Sequence, residues 1–106
     1  MEFLTRMEEI LLLTVHRLGA EAYGVTIRAA VEELLGKSVS VGAVYVPLDR
    51  LAEHGYLETS QSDPTPERGG RRKKYFKLTQ AGLKTLQETK ALQDTLWANV
   101  PNLGSA

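Results

Sequence analysis

Apolar residues recur at helical spacing three times along this chain before the pattern changes. Met7, Ile10, Leu11, Thr14 and Leu18 form the first such run. Thr5-Arg6-Met7-Glu8 before it has the form of a capping box, with Thr5 as N-cap and Glu8 reaching back. Gly19 ends the helix. Leu12, Leu13 and Val15 widen its apolar surface beyond one stripe, which predicts packing on two sides, against its own domain and a partner chain. A second helix begins at Tyr23-Gly24. Its buried stripe is expected to be Ile27, Ala30, Val31 and Leu34, and its wet face Arg28, Glu32 and Glu33. Gly36 stands where a left-handed cap belongs, and Val39 is expected in a very short strand.

Ser40 is a good N-cap for a third helix. Val41, Val44, Tyr45, Leu48, Leu51 and Ala52 keep a 3.6-residue period, and Gly55 ends it. Pro47 inside this run removes a backbone hydrogen bond to Ala43, which predicts an irregular or kinked first turn. The pattern then shifts to strands. Residues 56–61 and 72–78 read as a hairpin, with Tyr75, Phe76 and Leu78 supplying strand propensity. Residues 62–70, with two prolines and a glycine pair, form its loop. Thr79 caps a last helix over about residues 80–99, stopped by Pro101. Its apolar residues Leu83, Leu86, Leu92, Leu96, Trp97 and Val100 do not keep one clean face.

The expected fold is therefore mainly α with a small β-hairpin (α+β), in the order helix, helix, helix, hairpin, helix. That is the layout of a winged helix-turn-helix, whose third helix lies in the DNA major groove. Residues 1–79 are expected to form the DNA-binding domain, residues 80–101 a C-terminal dimerisation helix, and residues 102–106 a loose tail. A length of 106 residues suits one small domain. Apolar content of 42% and charged content of 25% are ordinary for a globular chain, so a mainly disordered one is not expected.

Charge changes the picture further. The net charge is zero, yet residues 1–67 carry a balance of −6 and residues 68–106 a balance of +6. Six of the thirteen basic residues fall between Arg68 and Lys77 with no acid among them, which puts a cationic cluster on the hairpin. Absence of cysteine excludes disulfides, thiolate metal sites and a cysteine nucleophile. His16 and His54 are too few and too far apart for a metal site. Gly36-Lys37-Ser38 looks like the end of a phosphate-binding loop, but Val31 occupies the place of the first glycine and the tripeptide follows a helix instead of opening one. No cofactor is implied, and no nucleophile–base constellation or paired carboxylates support an enzyme. The apolar run from Ile10 lacks the basic start and the length of a secretory signal, and no stretch is long enough to span a membrane, so the expected location is the cytoplasm.

The chain also resembles the PadR family of transcriptional regulators. The resemblance is carried by Tyr23-Gly24 with Ile27, then Gly42-Ala43-Val44-Tyr45 with Leu48, Arg50, Leu51, Gly55 and Leu57. Gly69-Gly70-Arg71-Arg72-Lys73-Lys74-Tyr75, Leu78-Thr79 and Gly82 complete it, over about residues 7–90. One departure is Val46, which separates Tyr45 from Pro47. The resemblance implies a cytoplasmic homodimer on a palindromic operator, usually a repressor, dimerising through its C-terminal helix against the partner's N-terminal region. It also implies a small apolar or aromatic effector, for which Trp97 is the candidate contact.

Candidate DNA-binding residues follow. Ser40, Gly42 and Ala43 open the third helix, where base edges are read and small residues admit close approach. The Tyr45 ring is expected to pack while its hydroxyl reaches a phosphate. Arg50 is a phosphate contact or a surface ion-pair partner of Glu53 or Asp49. Arg68, Arg71, Arg72, Lys73 and Lys74 form the wing cluster. Strand alternation allows about three of these five on one DNA-facing side, with Arg71 and Arg72 foremost. Ile10, Leu13, Leu92, Leu96 and Val100 are the candidate dimer contacts. Two rival readings stand beside this one: a winged-helix module whose basic wing binds an acidic protein partner, and a small-molecule-binding protein without an operator.

Overall fold

Local chemistry starts the first helix. The Thr5 hydroxyl accepts from the Glu8 amide at 3.1 Å, and the Glu8 carboxylate accepts from the Thr5 amide at 2.7 Å. Two donors left over at the start of the helix are thereby satisfied reciprocally. The computed structural model describes residues 3–62 and 73–101. Its elements are α1 (Arg6–Leu18), a single 3-10 turn (Gly19–Glu21), α2 (Gly24–Leu35), α3 (Val41–Glu53), β1 (Leu57–Gln61), β2 (Lys74–Leu78) and α4 (Gln80–Trp97). Four helices and an antiparallel hairpin make the fold α+β.

The core gathers on α1, which touches α2, α3, α4 and β2. Leu11, Leu12, Ile27, Leu48 and Leu51 are fully buried there, with Val15, Val31 and Val44. Each large side chain so buried contributes roughly 1.5–3 kcal/mol. The widened apolar surface of α1 thus divides. Leu12 and Val15 go to the core, Ile10 is half-buried against it, and Leu13 stays 43% exposed.

β1 and β2 pair from Leu57 opposite Leu78 to Gln61 opposite Lys74. The extra strand-like contact expected at Val39 is found elsewhere. Tyr23 bridges Tyr75, and the Phe76 amide donates to the Ala22 carbonyl at 2.9 Å. The segment entering α2 thus covers the outer edge of β2, an edge otherwise open to pairing with another chain. Val39 is buried and belongs to no strand.

Three other expectations need correction. Leu34 is not in the buried stripe of α2 but 59% exposed, because the last turn of that helix runs past the core beside Gly36. α3 is not irregular at its start. Ser40 caps it regularly, and the helix continues through Pro47. The missing donor leaves only the carbonyl of Ala43 without its helical partner, and Ala43 is exposed to water. The last helix ends at Trp97, short of Asn99, which takes the left-handed φ of 61°.

α4 starts from a tight seat. The Thr79 hydroxyl donates to the Gly55 carbonyl at 2.6 Å and accepts from the Gly82 amide at 3.0 Å, while the Thr79 amide donates to the Tyr56 carbonyl at 3.1 Å. Gly82 lies directly on the Tyr56 carbonyl, leaving no room for a side chain.

Candidate nucleic-acid interface

The turn between α2 and α3 is held by two α2 side chains expected to face water. Arg28 Nε donates to the Val39 carbonyl and Glu32 Oε2 accepts from the Val39 amide, both at 2.8 Å. Arg28 and Glu32 also pair with each other at 3.9 Å. Val39 precedes Ser40, so this clamp fixes where α3 begins. Ser40 Oγ then accepts from the Ala43 amide at 3.1 Å.

The outer surface of α3 holds Val41, Gly42, Ala43, Val46, Asp49 and Arg50, all exposed. A Cβ on Gly42 would meet nothing within the protein, so no internal packing requires glycine there. Tyr45 is expected to be packed, and it is so on one side only. Its ring lies over Gly24, with Cζ and Cε1 at 2.6 and 2.8 Å from where a Cβ would stand, yet the residue remains 36% exposed. Tyr23-Gly24 and Tyr45, far apart in sequence, therefore form one contact.

Arg50 makes no ion pair with Glu53 or Asp49. Asp49 pairs instead with Lys74 Nζ at 3.0 Å, tying β2 to α3. The Lys74 ammonium also sits 5.5 Å from the centre of the Phe76 ring. Lys73 Nζ lies 4.5 Å from the centre of the Tyr23 ring, which meets Tyr75 edge-on at 5.3 Å. Lys74 thus ties the hairpin to α3 and Lys73 ties it to the start of α2, while both remain exposed. Arg68, Arg71 and Arg72 lie outside the described residues. The Arg28–Glu32 clamp, the Gly24 seat and the Asp49–Lys74 tie escaped the sequence reading. The i, i+4 spacing of Arg28 and Glu32, in the helix that precedes the Ser40 N-cap, was the available signal for the first.

Away from this surface, α4 leaves Leu96 and Trp97 65% and 63% exposed, with Val100 exposed beyond it and Leu92 half-buried. Gln93 Nε2 donates to both Glu9 carboxylate oxygens at 3.2 Å, joining α4 to α1. A groove of about 720 Å³ opens between the end of α1, the hairpin and the start of α4, lined in part by Val15, Phe76, Leu78 and Leu83. Trp97 does not line it. His16 and His54 are exposed, and among the described residues no group of acids and histidines is placed to hold a metal. No described helix is long and apolar enough to cross a membrane.

Comparison with known proteins agrees with this arrangement. The chain is similar to a PadR-like transcription factor from Bacteroides fragilis, with 29% identity, a TM-score of 0.74, and 85% of this chain and 82% of that one covered. RosR of H. salinarum matches at 26% identity and a TM-score of 0.67, with 92% and 80% covered. A PadR-like regulator from Bacillus cereus shares the fold at 24% identity and a TM-score of 0.72, with 94% and 92% covered. No protein of curated function matches. The model of the transcriptional regulator PadR-like family matches residues 11–88, the span holding the clamp, α3, the hairpin and the seat of α4. The chain therefore belongs to the PadR-like family, whose members are DNA-binding transcriptional regulators and not enzymes.

Proposed function

We propose that this protein is a homodimeric repressor of a palindromic operator, with α3 in the major groove and the hairpin on the flanking backbone. The observation that carries the reading is the exposed surface of α3 with the exposed Lys74 tied to it, in a chain of this family. Ser40, Gly42 and Ala43 then approach base edges. Tyr45 and Arg50 meet phosphates, as do about three of the five wing residues Arg68, Arg71, Arg72, Lys73 and Lys74, with Arg71 and Arg72 foremost. Phosphate contacts position such a protein and base contacts specify the site.

Dimerisation is supported by surface that one domain leaves uncovered. Leu13 on α1 and Leu96, Trp97 and Val100 at the far end of the chain are each exposed. Ile10 and Leu92 complete the proposed interface, and residues 80–101 act as the dimerisation element on a DNA-binding domain of residues 1–79. The shape supports the same division. The radius of gyration is 16.2 Å, against about 13 Å for a compact domain of this length. The protein acts in the cytoplasm, where its operator is. A flat aromatic effector sandwiched by the two Trp97 rings near the two-fold axis is the proposed control, read by tryptophan quenching that coincides with weakened operator binding.

Selection of binding sites from random duplex DNA, with sedimentation of the free protein, tests the proposal. The expected result is a species of twice 11.7 kDa and an inverted repeat whose half-sites lie about 34–36 Å apart or a multiple of that. If a dimer neutralises about 6–8 phosphates, log affinity falls with log salt at a slope of about −5 to −7. A strict monomer at micromolar concentration, or no enriched sequence, overturns the proposal.

A further inference from the structure

Between Ser40 and Asp49, α3 carries three polar side chains, and each already touches a group of the protein itself. The Ser40 hydroxyl oxygen accepts from the Ala43 amide, the Tyr45 hydroxyl lies against Gly24, and Asp49 is paired with Lys74. What faces outward is hydrocarbon. Val46 is 60% exposed, Val41 is 47% exposed, and Ala43 is exposed between them. Val46 falls three residues after Ala43 and four before Arg50, so the three share one side of the helix. The hydrocarbon part of this surface, Val41, Ala43 and Val46, cannot tell base pairs apart by donors and acceptors. The major groove carries one apolar feature, the C5-methyl group of thymine.

We propose that α3 selects its site by contact with thymine methyl groups, with Val46 as the main contact and Ala43 beside it. This rests on the reading above that α3 lies in the major groove. It deepens that reading by assigning selectivity to carbon contacts and leaving affinity to Arg50 and the basic residues of the hairpin, Lys73 and Lys74 among them. Affinity then varies with salt, while selectivity varies with a single methyl group on the DNA.

The test replaces each thymidine of the selected operator, one at a time, by deoxyuridine. This removes the methyl group and leaves every hydrogen-bonding group of the base in place. One or two positions per half-site are expected to weaken binding by about fourfold each, the worth of one buried methyl-sized group. Val46→Ala is expected to remove that loss at its own position. Val46→Gln is expected to move the selected base there from thymine toward adenine, which a glutamine amide reads by two hydrogen bonds. Val46 is exposed, so both variants are expected to keep the parent melting temperature. A defined operator that tolerates deoxyuridine at every position overturns the methyl reading alone. Sensitivity unchanged in Val46→Ala overturns the assignment to Val46. If 5-hydroxymethyl groups placed on every pyrimidine of a bound operator, which crowd the major groove throughout, interfere nowhere, α3 is not in the major groove, and both readings fall.

Discussion

Replacing Gly82 by alanine tests the seat that joins α4 to the rest of the domain. A Cβ at this position would stand 2.7 Å from Leu78 Cδ1 and 3.1 Å from the Tyr56 carbonyl carbon, with the Tyr56 oxygen closer still. The first distance is about 1 Å inside the optimum for a carbon pair. Leu78 can turn aside, but the Tyr56 carbonyl is main chain and is held by the Thr79 amide. The helix must therefore lift. In the interior of a free helix, alanine would be about 1 kcal/mol better than glycine. Overpacking against the main chain costs about 1–3 kcal/mol, and disturbing the Thr79 cap costs about 1 kcal/mol more. The expected net loss is about 1–3 kcal/mol, with Tm lower by about 4–8 °C for each kcal/mol in a domain of this size. Thermal unfolding followed by circular dichroism measures it, at fixed chain concentration because association shifts apparent stability. A Gly82→Ala protein that melts at or above the parent temperature refutes the seat.

Three further outcomes are expected. Gly24→Ala displaces the Tyr45 ring, whose rim is free to swing outward, so stability changes by less than about 1 kcal/mol while affinity for the selected operator falls. Unchanged affinity in a binding titration would remove Tyr45 from the interface. Glu32→Ala leaves the amide of buried Val39 without its acceptor and is expected to cost about 1–3 kcal/mol in urea unfolding, part of which Glu32→Gln restores. A loss below measurement would mean that the clamp does not fix the turn. Lys74→Ala breaks an exposed pair worth about 0–1 kcal/mol, so stability holds. Asp49, left negative beside the DNA, weakens binding, and the added Asp49→Ala change recovers part of it. Absence of recovery in that double mutant separates Lys74 from Asp49.

Parts of the structure governed by neighbouring residues were legible in the sequence. Thr5, Ser40 and Thr79 each cap the helix expected of them, because a hydroxyl three residues from an amide forms its bond whatever else is nearby. Gly36 takes its left-handed turn for a similarly local reason. Features set by packing across the chain were not legible. Leu34 has the spacing of a core residue, but whether the last turn of a helix overlaps its neighbour depends on the crossing of α1 and α2, which periodicity does not encode. Arg28 and Glu32 looked like a solvated face because their partner is the backbone of Val39, which any residue at that position would supply. Pro47 carried the right warning about a missing hydrogen bond, but exposure of Ala43 lets water serve the freed carbonyl. At the start of α3, spacing placed Ser40, Gly42 and Ala43 together. It could not say that Asp49 would draw Lys74 away from a purely DNA-facing role.

The uneven attachment of α4 also sets a clock. Gly82 and Leu86 are buried at its near end, and Gln93 with Glu9 is the last described side-chain tie to another element, while the final turn stands in solvent. Amide protons near Leu86 therefore exchange with solvent only when the whole domain opens. Those near Leu96 and Trp97 exchange whenever the end of the helix frays. In the proposed dimer, joined through that end, fraying would require separation, and the exchange time of the last turn would measure how long the two chains stay together.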